Sequence, residues 1–443
     1  MSDLYLKTIS GKDNQPISFP TGISFGNIAL GTLNNIGTPG ALGFGVGICP
    51  NPLPTGIVEL VNCRDSASDN YGNYQYTDGS IMVWIPAFYY KWGTGSNGLA
   101  LNDVDIKSFS YFTDVSAANS SGYALHRAFY DGGAIQPGVF VDKYQCSNNY
   151  GVASSIKNGN PLSSNSAHNP YSSLNGAPAN NYGGSFAAAK TRGANFFCNS
   201  RFIIAALAML SYAHAQASTS TTYCAWYHAT NNFPKGNNNN ALRDVNDTTV
   251  LYVSDGYPNC GKTGSGTPFA KTTHNGQNSG VADLNGNMWE FTPGLTSDGT
   301  NYYILNTSVA MKTLTGGNTL ATDAFGATGI AANYTSLGTT FGAAWETGAN
   351  RVTYYGSAGQ VFSAATSGND WNWAGVGGML ATGDGGTNRF GSDGFWDYKP
   401  NEMAPISGGH WVYSSLAGVW SLDLYDARAA SSYAVGFRSA LYL

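Results

Sequence analysis

The sequence predicts an α+β fold in which a few helices and many short strands are joined by long, ordered loops. Glycine makes up 57 of the 443 residues, and only 11% of the residues are charged, against roughly 25% in an average globular protein. The apolar stretches are short and lie between clusters of Gly, Pro, Asn and Ser, which is the pattern of short strands and turns. Only two segments have helical character.

Both predicted helices lie near the middle of the chain. The first is a short, alanine-rich segment from Ser185 to Thr191. The second runs from Ser200 to Gln216, and Ser200 is placed to cap its N-terminus. Its apolar residues fall on one helical face: Phe202, Ile203, Ala206, Leu207 and Leu210. We therefore expect one amphipathic helix and one shorter helix.

Strand signals divide the chain into two predicted domains. Residues 1–77 contain only short apolar stretches, and we interpret them as a small β-rich module for attachment or oligomerisation. The strongly apolar segment Ser80–Trp92 opens a second domain of residues 78–443, and Gly138–Tyr144 predicts another of its strands. The domain boundary is therefore expected at residue 77.

Composition also narrows the function classes. The net charge is −5 and the 21 Lys and Arg residues form no dense run, which gives nucleic-acid binding little electrostatic support. The longest apolar run, Phe202–Leu210, is about half of a membrane-spanning helix, so no membrane insertion is expected. No signal-peptide pattern is present, which predicts synthesis in the cytoplasm. A surface rich in Tyr, Ser, Gly and Asn suits recognition.

Cysteine and histidine spacing predicts no metal site. The six cysteines contain no C-x-x-C pair, so we expect them to be mostly reduced and buried. The six histidines never lie at metal-ligand spacing from Cys, His or Glu. A structural calcium ion is considered for Asp384, Asp393 and Asp397, but they lack the EF-hand spacing, and a loop stabilised by Asx turns is the preferred interpretation.

One nucleotide-binding pattern is present and is interpreted as a loop. Gly256–Thr263 matches G-x-x-x-x-G-K-[ST], but a working P-loop needs a helix next. The following Gly264–Pro268 cannot be helical. No G-x-S-x-G elbow or comparable nucleophile signature exists either, so no catalytic residue is predicted.

Residues 408–443 alternate between a framework set (Gly, Trp, Leu, Phe and Arg) and a mixed set. The mixed set follows no helical or strand period and contains no Lys or Glu. It comprises His410, Val412, Tyr413, Ser414, Ser415, Leu416, Asp423, Tyr425, Asp426, Ala429, Ala430, Tyr433 and Ala434. This pattern is typical of a rigid scaffold that presents interchangeable side chains, and it predicts binding rather than one fixed chemistry.

A second segment, Asp283–Phe291, joins a polar turn to an apolar strand that carries a single acid, Glu290. The turn residues Asp-Leu-Asn-Gly-Asn predict a tight reversal of the chain. Because Glu290 sits between Trp289 and Phe291, we expect it to be buried and bonded to backbone amides or to Arg438.

These segments are similar to the formylglycine-generating-enzyme and sulfatase-modifying-factor superfamily, which has a C-type-lectin-type fold. Asp283–Phe291 resembles its D-x-x-G-N-V-W-E-W signature. Four further landmarks follow its order: Met82–Pro86, Phe140–Asn148, Gly408–Trp411 and Gly436–Arg438. The resemblance covers residues 78–443 and implies a C-type-lectin-like domain with an insertion at residues 300–400 and a variable region at residues 408–438.

Departures from that superfamily argue against an enzyme. Its oxidases use a C-terminal cysteine pair to bind copper, whereas no cysteine follows Cys260 here. The histidine cluster of the related sulfoxide synthases is also absent. The segment Ser200–Ala213 lacks the R-L-P-T-E-A-E-W-E run that is usual in the enzymes.

The C-terminal region also resembles the variable proteins of diversity-generating retroelements, which include phage tropism determinants. The pattern Gly-Gly-x-Trp, Ala-Gly-Val-Trp-Ser-Leu and Val-Gly-Phe-Arg is similar to their variable region. Such elements mutate adenines, so asparagine codons cannot become Lys, Glu, Gln, Met or Trp while the third base stays a pyrimidine. The mixed set contains none of these five residues.

This resemblance implies a non-enzymatic protein that binds a host-cell receptor, either a protein or a glycan. Tyr413, Tyr425 and Tyr433 would anchor the ligand, and His410, Asp423 and Asp426 would make polar contacts. The expected scaffold is Asp283, Asn285, Gly286, Asn287, Trp289, Glu290, Gly408, Gly409, Trp411, Trp420, Gly436, Phe437 and Arg438. A homotrimer in a virion tail fibre, joined to other fibre proteins through residues 1–77, is also implied.

Three alternatives stay open on the sequence. The chain could be a variable ligand-binding protein on a bacterial surface, encoded by a bacterium or a prophage. It could be a modifying oxidase whose copper ligands have moved. It could also be a structural virion protein with a fixed C-terminus.

Overall fold

The computed structural model describes residues 24–25, 28–29, 34–229, 233–316, 333–338, 351–355, 360–379 and 391–443. Within these residues the fold is α+β and consists mostly of short strands with few helices, which confirms the predicted class. Long connections without regular structure join the elements, as the glycine content predicts.

The α-helices of the described residues are few, and only α3, with 17 residues, is long. They are α1 (Val115–Ser120), α2 (Tyr182–Lys190), α3 (Arg201–Ala217) and α4 (Gly368–Gly375). Both predicted helices are confirmed as α2 and α3, whereas α1 and α4 are short segments containing Ser, Asn or Gly and were not predicted. The Ser200 hydroxyl accepts a hydrogen bond from the Ile203 amide at 3.3 Å, which confirms the predicted cap.

Helix α3 is buried on every side, not on one face. Every residue from Arg201 to Ala215 is buried. Several positions outside the apolar stripe carry small side chains (Ala205, Ala208, Ser211 and Ala215), which let other segments approach closely. Ser211, for example, donates to the His274 carbonyl at 2.7 Å. Helix α3 therefore forms the centre of the core. No helix among the described residues has the length and apolar character needed to cross a bilayer.

Strands are numbered in chain order. They are β1 (Ser24–Phe25), β2 (Ile28–Ala29), β3 (Ile57–Glu59), β4 (Asn73–Tyr76), β5 (Ile81–Pro86), β6 (Phe88–Trp92), β7 (Val104–Ser108), β8 (Ala124–Leu125), β9 (Tyr130–Asp131), β10 (Ala134–Ile135), β11 (Gly138–Asp142), β12 (Ser147–Asn149), β13 (Val152–Ser154), β14 (Phe197–Cys198), β15 (Trp289–Phe291), β16 (Leu295–Ser297), β17 (Tyr302–Leu305), β18 (Tyr334–Gly338), β19 (Arg351–Tyr354), β20 (Gly394–Asp397), β21 (Ile406–Ser407), β22 (Leu422–Asp423), β23 (Val435–Gly436) and β24 (Ser439–Leu441).

The first six-stranded sheet has the order β14-β24-β11-β5-β4-β3. Its centre is the antiparallel pair β5 and β11, in which Phe140 lies opposite Trp84. The last strand of the chain, β24, pairs with the other side of β11. Strands β3 and β4 come from the predicted N-terminal module, so this sheet extends across the boundary predicted at residue 77. Most of residues 1–33 lie outside the described residues.

The second six-stranded sheet has the order β19-β20-β22-β21-β15-β23. Strand β15 is the predicted Trp289–Phe291 strand, and Glu290 lies between Ser407 of β21 and Gly436 of β23. Strands β19 and β20 come from the predicted insertion, part of which lies outside the described residues. Smaller sheets join β16-β17-β18 and β7-β6-β8.

Arg438 lies where the chain passes from the second sheet to the first, between β23 and β24. Its guanidinium forms a two-fold pair with Glu290, with Nε to Oε2 at 2.7 Å and Nη2 to Oε1 at 2.6 Å. Its other N–H groups donate to the carbonyls of Asp142, Ala282 and Asp283 at 2.8–3.1 Å. All five donors are thus used in a fully buried site. The predicted Glu290–Arg438 bond is confirmed.

We expect Glu290→Gln to destabilise the protein by about 3–5 kcal/mol, because it leaves the Arg438 charge buried without its partner. The matched control is Glu59→Gln. Glu59 pairs with Arg64 at 2.5 Å, but the Glu59 and Arg64 side chains are 29% and 39% exposed, so the loss there should stay below about 1 kcal/mol. Urea unfolding monitored by tryptophan fluorescence measures both, and equal losses would contradict the account.

Candidate functional site: a C-terminal face

Two loops of the second sheet carry nearly all of the mixed set. Residues 408–421 connect β21 to β22, and residues 424–434 connect β22 to β23. The two loops meet in space, because the rings of Trp411 in the first and Tyr433 in the second lie 6.1 Å apart. The strands beneath them are only two residues long, so the loops depend on buried side chains for their shape.

The thirteen residues predicted as scaffold are all buried. Two of them, Gly408 and Gly409, have φ values of +100° and +83°, which favour glycine. A Cβ at Gly408 would lie 2.7 Å from the Leu284 carbonyl oxygen, and one at Gly409 would lie 2.7 Å from the Ala417 Cα. The start of the first loop therefore fits tightly against the 283–287 turn, and the Gly286 amide donates to the Gly408 carbonyl at 2.8 Å.

A buried ion pair that the sequence did not indicate holds the rest of the first loop. Lys235 and Asp393 are both buried and form a salt bridge. Asp393 Oδ2 accepts from the Trp420 amide at 2.9 Å, and Lys235 Nζ donates to the carbonyls of Ser415 and Ala417 at 2.9 and 3.0 Å. Burial raises the pKa of Asp393 to about 6, although Lys235 opposes this shift.

The contacts of Asp393 show whether it could bind the calcium ion considered in the sequence analysis. Both oxygens of Asp393 are already bonded, one to Lys235 and one to the Trp420 amide. Asp397 is buried in β20, and Asp384 lies outside the described residues. Asp393 therefore stabilises the first loop through these bonds, and its oxygens are not free to bind calcium.

Eleven of the thirteen mixed residues are exposed or half-buried. The other two correct the expectation that the whole set faces solvent. Asp423 is only 7% exposed, because it lies in β22 between Ile406 and Trp396. Ala434 is 2% exposed and packs in a small apolar cluster with Cys260, Met288 and Trp411. These two positions tolerate fewer side chains than their neighbours.

Tyr413 lies at the centre of the surface. Its ring makes edge contacts with Trp289 and Trp396, each with a centroid distance of 5.2 Å, and lies 4.6 Å from the His410 ring. Burial raises the pKa of Tyr413, and Asp423, Asp426 and Tyr433 raise it further. Its hydroxyl is therefore close enough to interact electrostatically with groups of β22 and of the second loop.

Two tyrosines outside the mixed set extend this surface. Tyr257 lies 5.5 Å from Tyr433 and 5.9 Å from Trp411, measured between ring centroids. Tyr398 lies 5.3 Å from Tyr425. Tyr257 belongs to the Gly256–Thr263 segment, which is a loop, and the next residues, 264–268, are not helical, as predicted. No local signal marked either tyrosine, because only the fold brings them to the C-terminal loops.

We use the term display face for the eleven exposed or half-buried mixed residues together with Tyr257 and Tyr398. Its large aromatic side chains are Tyr257, Tyr398, Tyr413, Tyr425 and Tyr433, and Tyr425 and Tyr433 are exposed. Beneath them lie the buried rings of Trp289, Trp396 and Trp411. The face is therefore a layer of amphipathic side chains on a rigid aromatic base.

Possible metal ligands also meet near this face. Within the described residues, the ligand atoms of His168, Asp255 and Cys260 all lie within 4.8 Å of one another. The sequence predicted no metal site, because spacing along the chain separates His168 from the other two by more than eighty residues. All six cysteines are buried and unpaired, which confirms the expectation drawn from their spacing.

Comparisons with known proteins give low-level structural likeness only. No family model and no curated protein matches the chain. Among solved structures it is similar to "Major Tropism Determinant M1 Variant", at 12% identity and a TM-score of 0.31, with 82% of this chain and 63% of that chain covered. A second is "Major Tropism Determinant U1 Variant", at 10% identity and a TM-score of 0.30, with 85% and 68% covered. The chain thus spans less than two thirds of the first of these structures.

Two carboxyl groups beside the display face, those of Asp423 and Asp426, have raised pKa values. Burial raises the pKa of Asp423 to about 7. The Tyr425 amide donates a hydrogen bond to Asp423 Oδ1 at 2.7 Å and lowers this pKa, whereas the nearby Asp426 raises it. Burial also raises the pKa of Asp426. At neutral pH, the state of the Asp423 carboxyl therefore depends on small changes in its surroundings.

We expect the contribution of Asp423 to stability to fall as the pH rises from about 4 to about 7, by at most about 1.4 kcal/mol per pH unit. The sign follows because the folded state holds the Asp423 proton in this interval and the unfolded state releases it. Asp423→Asn should remove this contribution, so the melting temperature of the variant should rise relative to that of the wild-type protein between pH 5 and pH 8. Melting curves at pH 5 to 8 for both proteins test this, and parallel profiles would contradict it.

Proposed function

We propose that this chain is a non-enzymatic receptor-binding protein whose display face contacts a molecule on the surface of a host cell. The observation that carries the proposal is the division of the C-terminal region. The framework residues are buried, whereas eleven of the thirteen mixed residues are exposed or half-buried on two adjoining loops. A surface in which the scaffold is fixed and the contacts can change is suited to recognition.

Substitutions of the exposed mixed residues should affect stability much less than substitutions of the scaffold residues. Substitution of exposed loop side chains usually changes stability by no more than about 0.5 kcal/mol. Substitution of Gly408 or Gly409 would bring a Cβ to within 2.7 Å of a neighbour, and the positive φ adds strain. The face can therefore change without loss of the fold, whereas the scaffold cannot.

The chemistry of the face favours binding over catalysis. Its tyrosines offer large, amphipathic contact surfaces with few rotamers, and such residues dominate binding energy at many interfaces. The mixed residues include no Lys or Glu and no cysteine. The cysteine pair used by the oxidases that the sequence resembles is absent, because no cysteine follows Cys260.

We further propose that a retroelement diversifies the display face, and that the chain is a phage tail-fibre protein of the virion. The residue types of the mixed set support this, since all of them can be written by adenine mutagenesis of asparagine codons. A homotrimer with a C-type-lectin-like domain, attached to other fibre proteins through residues 1–77, would present three faces and gain affinity by avidity.

We expect Tyr413→Ala and Tyr433→Ala each to weaken binding to receptor-bearing cells by about 2 kcal/mol, or about thirty-fold. The matched control is Tyr111→Ala. Tyr111 is 64% exposed, and its ring contacts are Lys107 and Phe112, outside the display face. The labelled, purified protein is screened against a panel of bacterial strains, and the variants are then titrated on a strain that binds. Equal affinities for the two face variants and the control would contradict the proposal.

The diversification claim makes a separate prediction for the gene. The flanking DNA should encode a reverse transcriptase and carry a near-copy of the 3′ end that has adenines at the mixed codons. Deep sequencing of a growing population should find changes at codons 410–434 confined to those adenines. Invariant codons, or changes spread equally over the framework codons, would contradict retroelement diversification without affecting receptor binding.

A further inference from the structure

The group formed by His168, Asp255 and Cys260 lies directly beneath the display face. The His168 ring stacks on Tyr257 with a centroid distance of 4.2 Å. Cys260 belongs to the apolar cluster that also contains Met288, Trp411 and Ala434. The side chains of His168 and Asp255 are only 3% and 0% exposed, and Cys260 is fully buried. A histidine, a carboxylate and a thiol are thus enclosed together.

The hydrogen bonds at this group fix the orientation of the imidazole. His168 Nδ1 lies 2.7 Å from the Tyr433 carbonyl oxygen, which can only accept, so Nδ1 carries a hydrogen. This leaves Nε2 pointing toward Asp255 Oδ2, at 2.7 Å. A backbone carbonyl that accepts from one ring nitrogen while the other faces a ligand site is the usual environment of a metal-binding histidine.

We propose that His168 Nε2, Asp255 Oδ2 and Cys260 Sγ bind one divalent transition-metal ion, of which Zn²⁺ is the representative. Nitrogen, oxygen and thiolate sulfur together suit zinc-like ions and not Ca²⁺ or Mg²⁺, which take oxygen ligands. Tetrahedral binding sets ligand atoms roughly 3.3–3.8 Å apart. The present spread of up to 4.8 Å therefore requires only small side-chain movements.

The other contacts of these residues are compatible with coordination. Asp255 Oδ1 accepts from the Tyr257 amide at 2.8 Å, which leaves Oδ2 as the coordinating oxygen, where Asn169 also donates at 3.2 Å. A further soft donor, Met288 Sδ, lies 3.8 Å from Cys260 Sγ. Cys260 must lose its proton on binding, and burial raises the pKa of its thiol, so proton competition makes the affinity increase with pH.

A cysteine–histidine–aspartate nucleophile is a poorer interpretation of the same residues. In such an arrangement the imidazole bridges the thiol and the carboxylate through its two nitrogens. Here Nε2 faces Asp255 and Nδ1 is bonded to the Tyr433 carbonyl, so the imidazole does not bridge the Cys260 thiol and the carboxylate. The geometry favours an ion held by all three side chains.

The position of the site gives the ion a structural role in the display face. His168 holds the Tyr433 carbonyl, and Asp255 holds the Tyr257 amide. An ion bound to both would fix two face tyrosines that come from distant parts of the chain. Metal binding at this site does not depend on receptor binding. Only the role of the ion in ordering a receptor-binding surface rests on the proposed function.

Untagged, full-length protein is titrated with Co²⁺ as a spectroscopic substitute for zinc, and its Zn²⁺ content is measured after dialysis against zinc. We expect about one zinc per chain and a thiolate-to-cobalt charge-transfer band. His168→Ala and Cys260→Ser should lose both, whereas Cys49→Ser, at a buried cysteine elsewhere in the core, should keep them.

Hydrogen exchange of the wild-type protein gives a readout that does not depend on folded variants. Zinc should slow exchange at residues 255–260 and 432–435, whereas residues 81–86 of β5 should not change. Absence of the cobalt band and of bound zinc in the wild-type protein would overturn the proposal. A band that persists in a folded Cys260→Ser variant would overturn it as well, because the ion would then lie elsewhere. Neither result would bear on receptor binding.

Discussion

The buried pair between Arg438 and Glu290 is the interaction on which the C-terminal half of the fold depends. Arg438 lies between the last strand of the second sheet and the last strand of the first, and its five donors bind Glu290 and three backbone carbonyls. One residue further on, the Ser439 amide donates to Asp142 Oδ2 at 2.9 Å. Asp142 in turn pairs with the buried Arg192. The Arg438–Glu290 pair therefore joins the two sheets, and the Asp142–Arg192 pair extends this network to the segment after α2.

This junction determines what the loops above it can do. Strand β15, which carries Glu290, pairs with both β21 and β23, the strands that begin the first loop and end the second. Lys235 and Asp393 hold the middle of the first loop from beneath. Because backbone groups of the loop are bonded to buried side chains, the exposed side chains contribute little to the stability of the fold. Variation at the face is thereby separated from folding.

The sequence predicted features that depend on local pattern. Helix α3 with its Ser200 cap and strands β5 and β11 follow from residue types and spacing. The Glu290–Arg438 bond, across 148 residues, is the exception among distant contacts, because a single acid in an apolar strand requires a buried partner. The alternation of framework and mixed residues also anticipated burial at most positions. Asp423 and Ala434 departed from it because strand pairing and a small apolar cluster enclose them.

The features that the sequence did not predict involve contacts between distant segments. Lys235 meets Asp393 across 158 residues, and His168 meets Asp255 across 87. Neither pair has a spacing that a motif could show. Tyr257 belongs to the display face, although its segment matches only the P-loop pattern and was interpreted as a loop without a function. The first sheet crosses residue 77 because β4 pairs with β5, a hairpin pairing that composition alone does not indicate.

The central claim is that a fixed scaffold carries an exchangeable face. Its most direct test is a display library in which single codons for the exposed mixed residues, and in parallel those for the buried framework residues, are randomised and selected for protease resistance. The account predicts that most substitutions at positions such as Val412, Tyr425 and Ala429 survive, whereas most at Gly408, Trp420 and Arg438 are lost. Equal survival of the two sets would contradict it.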